Sequence, residues 1–137
     1  MTDGWTPAQY RIEIPMRLPS VSNLREHWRA KACRTRAQRA TVRVIVLTEL
    51  GRSWNPMPLA RPSDRVCVSL CRVSPRALDD DNLRGALKAC RDGIADVLGV
   101  NDRDPRIEWK YAQERGKPKE HKVVVIVERI EQEEAKP

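Results

Sequence analysis

The sequence predicts a single α+β domain, with elements in the order β-α-β-α-β-β and two helices packed on a mixed or mostly antiparallel sheet. Three observations carry this expectation. Residues 64–73 alternate, with Val66, Val68 and Leu70 on one side and Cys67, Ser69 and Cys71 on the other, as a strand requires. Residues 82–98 place Leu83, Leu87, Cys90, Ile94 and Val97 at helical spacing, the mark of an amphipathic helix. The chain has 137 residues, 40% of them hydrophobic and none of them Phe. That suits one domain whose interior is filled by Val, Ile, Leu and Ala.

The elements follow in order. Residues 9–18 alternate, with Tyr10, Ile12, Ile14 and Met16 on one face, and Pro15 marks an edge or a bend. Pro19 to Asn23 form a loop in which Ser22 or Asn23 can cap a helix. That helix is expected from Leu24 to about Leu50. Its small-residue stripe of Ala30, Cys33, Ala37, Ala40, Val44 and Thr48 would lie against the sheet, and Gly51 would stop it. The β-branched run at 41–47 also permits a strand. Residues 52–63, with three prolines, read as a loop. Residues 106–113 and 122–130 read as two further strands joined as a hairpin through 114–121, where Gly116 and Pro118 supply the turn. The domain is thus expected over 8–130, with flexible tails at 1–7 and 131–137.

Charged residues make up 33% of the chain and its net charge is +7, which favours a polyanionic partner such as nucleic acid or an anionic membrane. No apolar run approaches the ~20 residues of a membrane span, and the first residues lack the pattern of a secretory leader, so a soluble, cytoplasmic protein is expected. Cys67 and Cys71 would stand roughly 13 Å apart on a strand, too far for a disulfide or a shared zinc. All four cysteines therefore read as buried free thiols.

Against this basic background, acids are concentrated in two short places. Asp79-Asp80-Asp81 stand at the mouth of the second helix, and Asn101-Asp102-Arg103-Asp104 follow its end. Like charges so close repel unless a cation lies between them, and a hard, oxygen-loving ion, Mg²⁺ or Mn²⁺, fits carboxylates best. If residues 79–81 are extended, Asp79 and Asp81 aim together and Asp80 aims away. Asp80 or Asp81 would also serve as a cap for the helix. Carboxylates around Mg²⁺ meet the needs of phosphodiester hydrolysis, in which the metal activates water and neutralises charge on the phosphate. Arg84, Lys88 and Arg91 share the helical arc of Asp81. Lys88 either contacts a phosphate or pairs with Asp92, while a solvated face is the simpler reading of Arg84 and Arg91.

The run Asp79-x-Asp81-Asn82-Leu83 after a strand, an Ala-rich helix, Val100-Asn101-Asp102, and the earlier Pro19-Ser20-x-Ser22-Asn23 turn together resemble the RusA-like Holliday junction resolvases. These are crossover junction endodeoxyribonucleases of bacteria and their phages, and the resemblance spans about Tyr10 to Ile130. It implies three metal-binding carboxylates, falling here on Asp79, Asp81 and Asp102, with Asp104 as a neighbouring alternative. It also implies a homodimer that nicks opposing strands of a four-way junction in recombination and repair, in the bacterial nucleoid or a phage-infected cell. The chain departs from the family at Gly85, where a catalytic lysine is expected. Lys88 or Arg84 is the replacement available here.

Seven cations fall between Arg25 and Arg43, with Glu26 as the only acid. Such a helix face is solvated or bound to phosphate. Arg25, Arg29, Arg36, Arg39, Arg43 and Arg84, with Lys117 and Lys119 in the basic joint that also holds His121, are the expected DNA-backbone contacts, none of them base-specific. His27 and Trp28 stand at the start of the helix; the Trp is expected to pack at the edge of the core, with stacking on a base as the alternative, and His27 to contact a phosphate or be inert. Two rivals share these features: a metal-dependent nuclease of another substrate class, and a non-catalytic nucleic-acid-binding protein whose acids only cap a helix.

Overall fold

The computed structural model describes residues 9–18, 28–53, 58–59 and 61–130. They form one α+β domain: β1 (Gln9–Ile14), α1 (Trp28–Ser53), β2 (Arg65–Ser74), α2 (Asp80–Leu98), β3 (Ile107–Arg115) and β4 (Lys122–Ile130). The expected caps at Ser22 and Asn23, the helix start at Leu24, Arg25, His27 and the two tails lie outside the described residues.

The four strands make one mixed sheet in the order β1-β4-β2-β3. β4 runs antiparallel to both β1 and β2, and β3 runs parallel to β2. The alternation read in the sequence becomes one apolar face. Val66, Val68 and Leu70 of β2, Val123, Val125 and Val127 of β4, and Ile12 and Ile14 of β1 are buried there. Registers such as Ile12↔Val125 and Leu70↔Val125 align them. α1 lies over β1, α2 over β2 and β3, and the two helices pack on each other.

The expected hairpin is not formed. β3 and β4 flank β2 on opposite sides, so the joint at 116–121 crosses the end of β2 instead of turning back on β3. The cause lies upstream: α2 is the crossover that returns β3 parallel to β2. β4 must then take the other side of β2, where it also meets β1. Gly116 packs closely where the joint crosses: a Cβ there would stand 2.8 Å from Glu120 Oε1 and 3.0 Å from Val73 Cγ1, and its N–H donates to Ser74 O at 2.9 Å.

α1 departs from expectation in three ways. Residues 41–47 are helical, since Val42, Val46 and Leu50 fall on one arc and are fully buried, and tertiary packing outweighs β-branched propensity. The small-residue stripe faces outward: Ala30, Cys33, Ala37 and Thr48 are exposed, and Val44 is 63% exposed. The larger stripe removes more apolar area from water and sets the rotation of the helix. Gly51 does not end the helix, which runs on to Ser53; a helical glycine costs only about 1 kcal/mol. Cys33 is thus exposed and Cys71 half-buried, while Cys67 and Cys90 are buried; all four are free thiols.

α2 follows its sequence closely. Leu83, Leu87, Cys90 and Ile94 are buried, and burial pushes the Cys90 thiol up to about 12. Gly99 ends the helix in the left-handed conformation, φ 73°, with the Val100 N–H reaching Ala95 O at 3.1 Å. The helix starts two residues earlier than expected, at Asp80, because Asp79 caps it. Gly93 admits α1 closely, since a Cβ there would stand 2.8 Å from Arg39 O.

Candidate functional site

The end of β2 delivers the chain to the acid rim. The segment 75–79 is held from both sides by two polar side chains, half-buried Gln113 and buried Arg72. Gln113 on β3 binds both backbone groups of Leu78, its Oε1 accepting from Leu78 N at 2.9 Å and its Nε2 donating to Leu78 O at 2.6 Å. Arg72, a buried cation, donates from Nη1 to Arg76 O at 2.7 Å and from Nε to Leu18 O at 3.0 Å. Burial, reinforced by Arg17, pushes its pKa down. These bonds fix the residues just before Asp79. Nearby, the Ser74 hydroxyl and His121 Nδ1 are 2.9 Å apart, which ties that histidine to the end of β2.

Asp79 is the N-cap of α2, its Oδ1 accepting from Asn82 N at 2.9 Å. Asp80 and Asp81 lie in the first helical turn, both exposed, with no hydrogen bond or ion pair among the described residues. The extended geometry expected of 79–81 is therefore replaced by a cap followed by helix, and the cap is Asp79 rather than Asp80 or Asp81. Three carboxylates crowd the positive end of the helix dipole.

Asp102 is placed elsewhere. Its carboxylate lies 3.0 Å from Lys88 Nζ, which also holds Asp92 at 2.8 Å. Arg91 Nε is also 3.0 Å from Asp102 Oδ2, off the N–H axis, so this contact is an ion pair rather than a hydrogen bond. The Asp102 carbonyl accepts from Arg91 Nη2 at 3.0 Å and from Trp109 Nε1 at 2.8 Å. Arg91 stacks 4.9 Å from the Trp109 ring centre and donates to the Tyr111 hydroxyl at 2.6 Å. Lys88, then Arg91, hold the Asp102 carboxyl below the usual range; Asp92, then Asp102, raise the Lys88 ammonium. Asp104 is similarly held down by Arg106, 3.0 Å away. Lys88 lies seven residues beyond Asp81, about 10 Å along the helix. The structure thus brings Asp79 and Asp81 to one rim and sets Asp102 a helical turn or more away. Among the described residues no three acid, His or Cys side chains converge as a metal-ligating group.

The expected DNA contacts are dispersed. Arg39 makes two bonds of 2.7 Å to Asp96, which Arg43 approaches at 3.7 Å. Arg36 donates to Cys33 Sγ at 3.4 Å, and Arg29 stacks on Trp28 at 5.2 Å. Arg84 lies 5.6 Å over the Tyr111 ring, and Arg91 is a buttress of the Asp102 turn rather than a solvated cation. Lys117 and Lys119 are exposed on the joint. Two further cations of α1 are Lys31 and Arg34. With Thr35 and Gln38 they form one wall of an open groove of about 250 Å³, and Gly85 and Lys88 of α2 lie on the other. Sequence reasoning counted Lys31 and Arg34 in the basic run but did not place them at the site. Their spacing with Thr35 and Gln38 (i, i+3, i+4, i+7) was the available signal. It missed Gln113 and Arg72 outright, because only the parallel pairing of β2 with β3 brings Gln113 opposite Arg72.

No family model and no curated protein matches this chain. Among solved structures it is similar to 2C-methyl-D-erythritol-2,4-cyclodiphosphate synthase, at 16% identity and a TM-score of 0.32, over 66% of this chain and 50% of that one. The chain thus spans half the length of that structure, and a likeness this weak carries no argument about fold or chemistry.

Proposed function

We propose that this protein is a Mg²⁺-dependent, structure-selective DNA endonuclease that resolves four-way junctions by paired nicks, acting as a homodimer in the cytoplasm. The observation that carries this reading is the rim of Asp79, Asp80 and Asp81. In a chain of net charge +7, three adjacent carboxylates stand on a pinned helix terminus, and Asp80 and Asp81 have no ion pair among the described residues. The donors suit a hard ion: Mg²⁺ keeps several waters and needs few carboxylates. Asp79 and Asp81 would hold it, with Mn²⁺ able to substitute, and Asp102 is the third carboxylate once Lys88 and Arg91 release it. Bound there, the ion supplies water activation and charge neutralisation at the phosphate. Lys88, kept protonated by its acids, is the cation that meets the phosphate or leaving group.

The pairing of Asp102 and the capping role of Asp79 favour a second reading, a non-catalytic nucleic-acid-binding module. The deciding experiment offers a synthetic four-way junction, beside its separate duplex arms, to wild type and Asp81→Asn, with Mg²⁺ and with EDTA. Paired nicks near the branch point, made only with metal and only by wild type, support the endonuclease. Junction binding without cleavage supports the module.

A further inference from the structure

We propose that the groove between α1 and α2 is the seat of one strand's sugar-phosphate backbone, gripped from α1 by Lys31 and Arg34 and kept open by the missing side chain at Gly85. This rests on the nucleic-acid reading above and assigns that reading a subsite. Gly85 lies one helical turn beyond Asp81 and Lys88 nearly one turn further, so the groove runs along α2 and begins one turn past the acid rim. A Cβ added at Gly85 would meet nothing within 4 Å, so the space above it is open. The groove combines an alanine floor, Ala86 and Ala89, with cations on both walls. That pairing suits a backbone unit, whose deoxyribose is apolar and whose phosphate is anionic.

The test measures binding of a fluorescent four-way junction by anisotropy across a salt series, in EDTA so that no strand is cut. The proteins are wild type, Lys31→Ala, Arg34→Ala, Gly85→Ala and Gly85→Leu, all full-length. Each cation variant should weaken binding and flatten the slope of log K against log salt by about 1. Gly85→Leu should fill the groove and raise Kd several-fold with no fall in Tm, because the position is exposed and helical; Gly85→Ala should bind as wild type does. Unchanged slopes in both cation variants, with wild-type affinity in Gly85→Leu, would overturn the groove assignment and leave the endonuclease reading standing. A wild type that does not bind the junction at all would overturn both.

Discussion

The two acidic segments of this chain look alike in sequence and are treated oppositely by the fold. At the start of α2, Asp79 contributes one oxygen to a cap, while Asp80 and Asp81 face solvent without a partner among the described residues. After α2, Asp102 is tied to Lys88 and Arg91, and Asp104 to Arg106. One segment leaves negative charge to be met from outside; the other has been neutralised from within. Density of acids therefore does not identify a cation site. What matters is whether the fold has already provided the counter-charge.

The largest expected effect tests that contrast directly. Asp81→Asn should lower metal-dependent cleavage on the order of a hundredfold or more and weaken Mn²⁺ binding read by electron paramagnetic resonance, with junction affinity retained. Asp102→Asn should leave most of the Mn²⁺ binding in place. Equal loss in the two variants would break the contrast and mean that Asp102 ligates as fully as the rim, its ion pairs with Lys88 and Arg91 setting it apart in nothing. Next in size, Arg91→Ala removes the stack on Trp109 and the bonds to Tyr111 and the Asp102 carbonyl, and should cost roughly 1–3 kcal/mol in urea unfolding. A neutral result would show that the turn is not held as tightly as its bonds suggest. On the rim, Asp79→Ala should cost about 1 kcal/mol through the lost cap. Asp80→Ala should stay within about 0.5 kcal/mol of wild type.

The smallest effect is a pH dependence. Asp102 has a folded pKa below its unfolded value of about 3.9. The stability it contributes is therefore complete above that value and is lost as pH falls through the lower folded one. In Asp102→Asn, Tm should fall less steeply with acid below about pH 4 than in wild type. An identical acid limb in the two proteins would remove Asp102 from the account of acid sensitivity.

Much of this architecture was legible in the residues. β2 and α2 carry unambiguous periods, and their boundaries differ from expectation by a residue or two. α1 was legible as an element but not in its rotation, because two stripes compete on it and only the sheet decides which is buried. The β3–β4 joint was misread since Gly116 and Pro118 serve a crossover as well as a hairpin. At the site, the acid rim was visible as composition. The counter-charges of Asp102 were not, because Arg91, Trp109 and Tyr111 meet only once β3 has returned parallel to β2.

The place of β4 has a consequence for how the protein is made. It is the last of the four strands to be synthesised, yet it lies inside the sheet and is the one neighbour of β1 among the described residues, pairing Gln9 with Glu128. On the ribosome, β2, α2 and β3 can assemble as soon as they emerge, whereas the first strand must wait, unpaired, for nearly the whole chain to be translated. A message truncated before residue 122 would yield a β-α-β unit with one long side of β2 bare and β1 loose, a product fit for proteolysis or aggregation rather than for partial function.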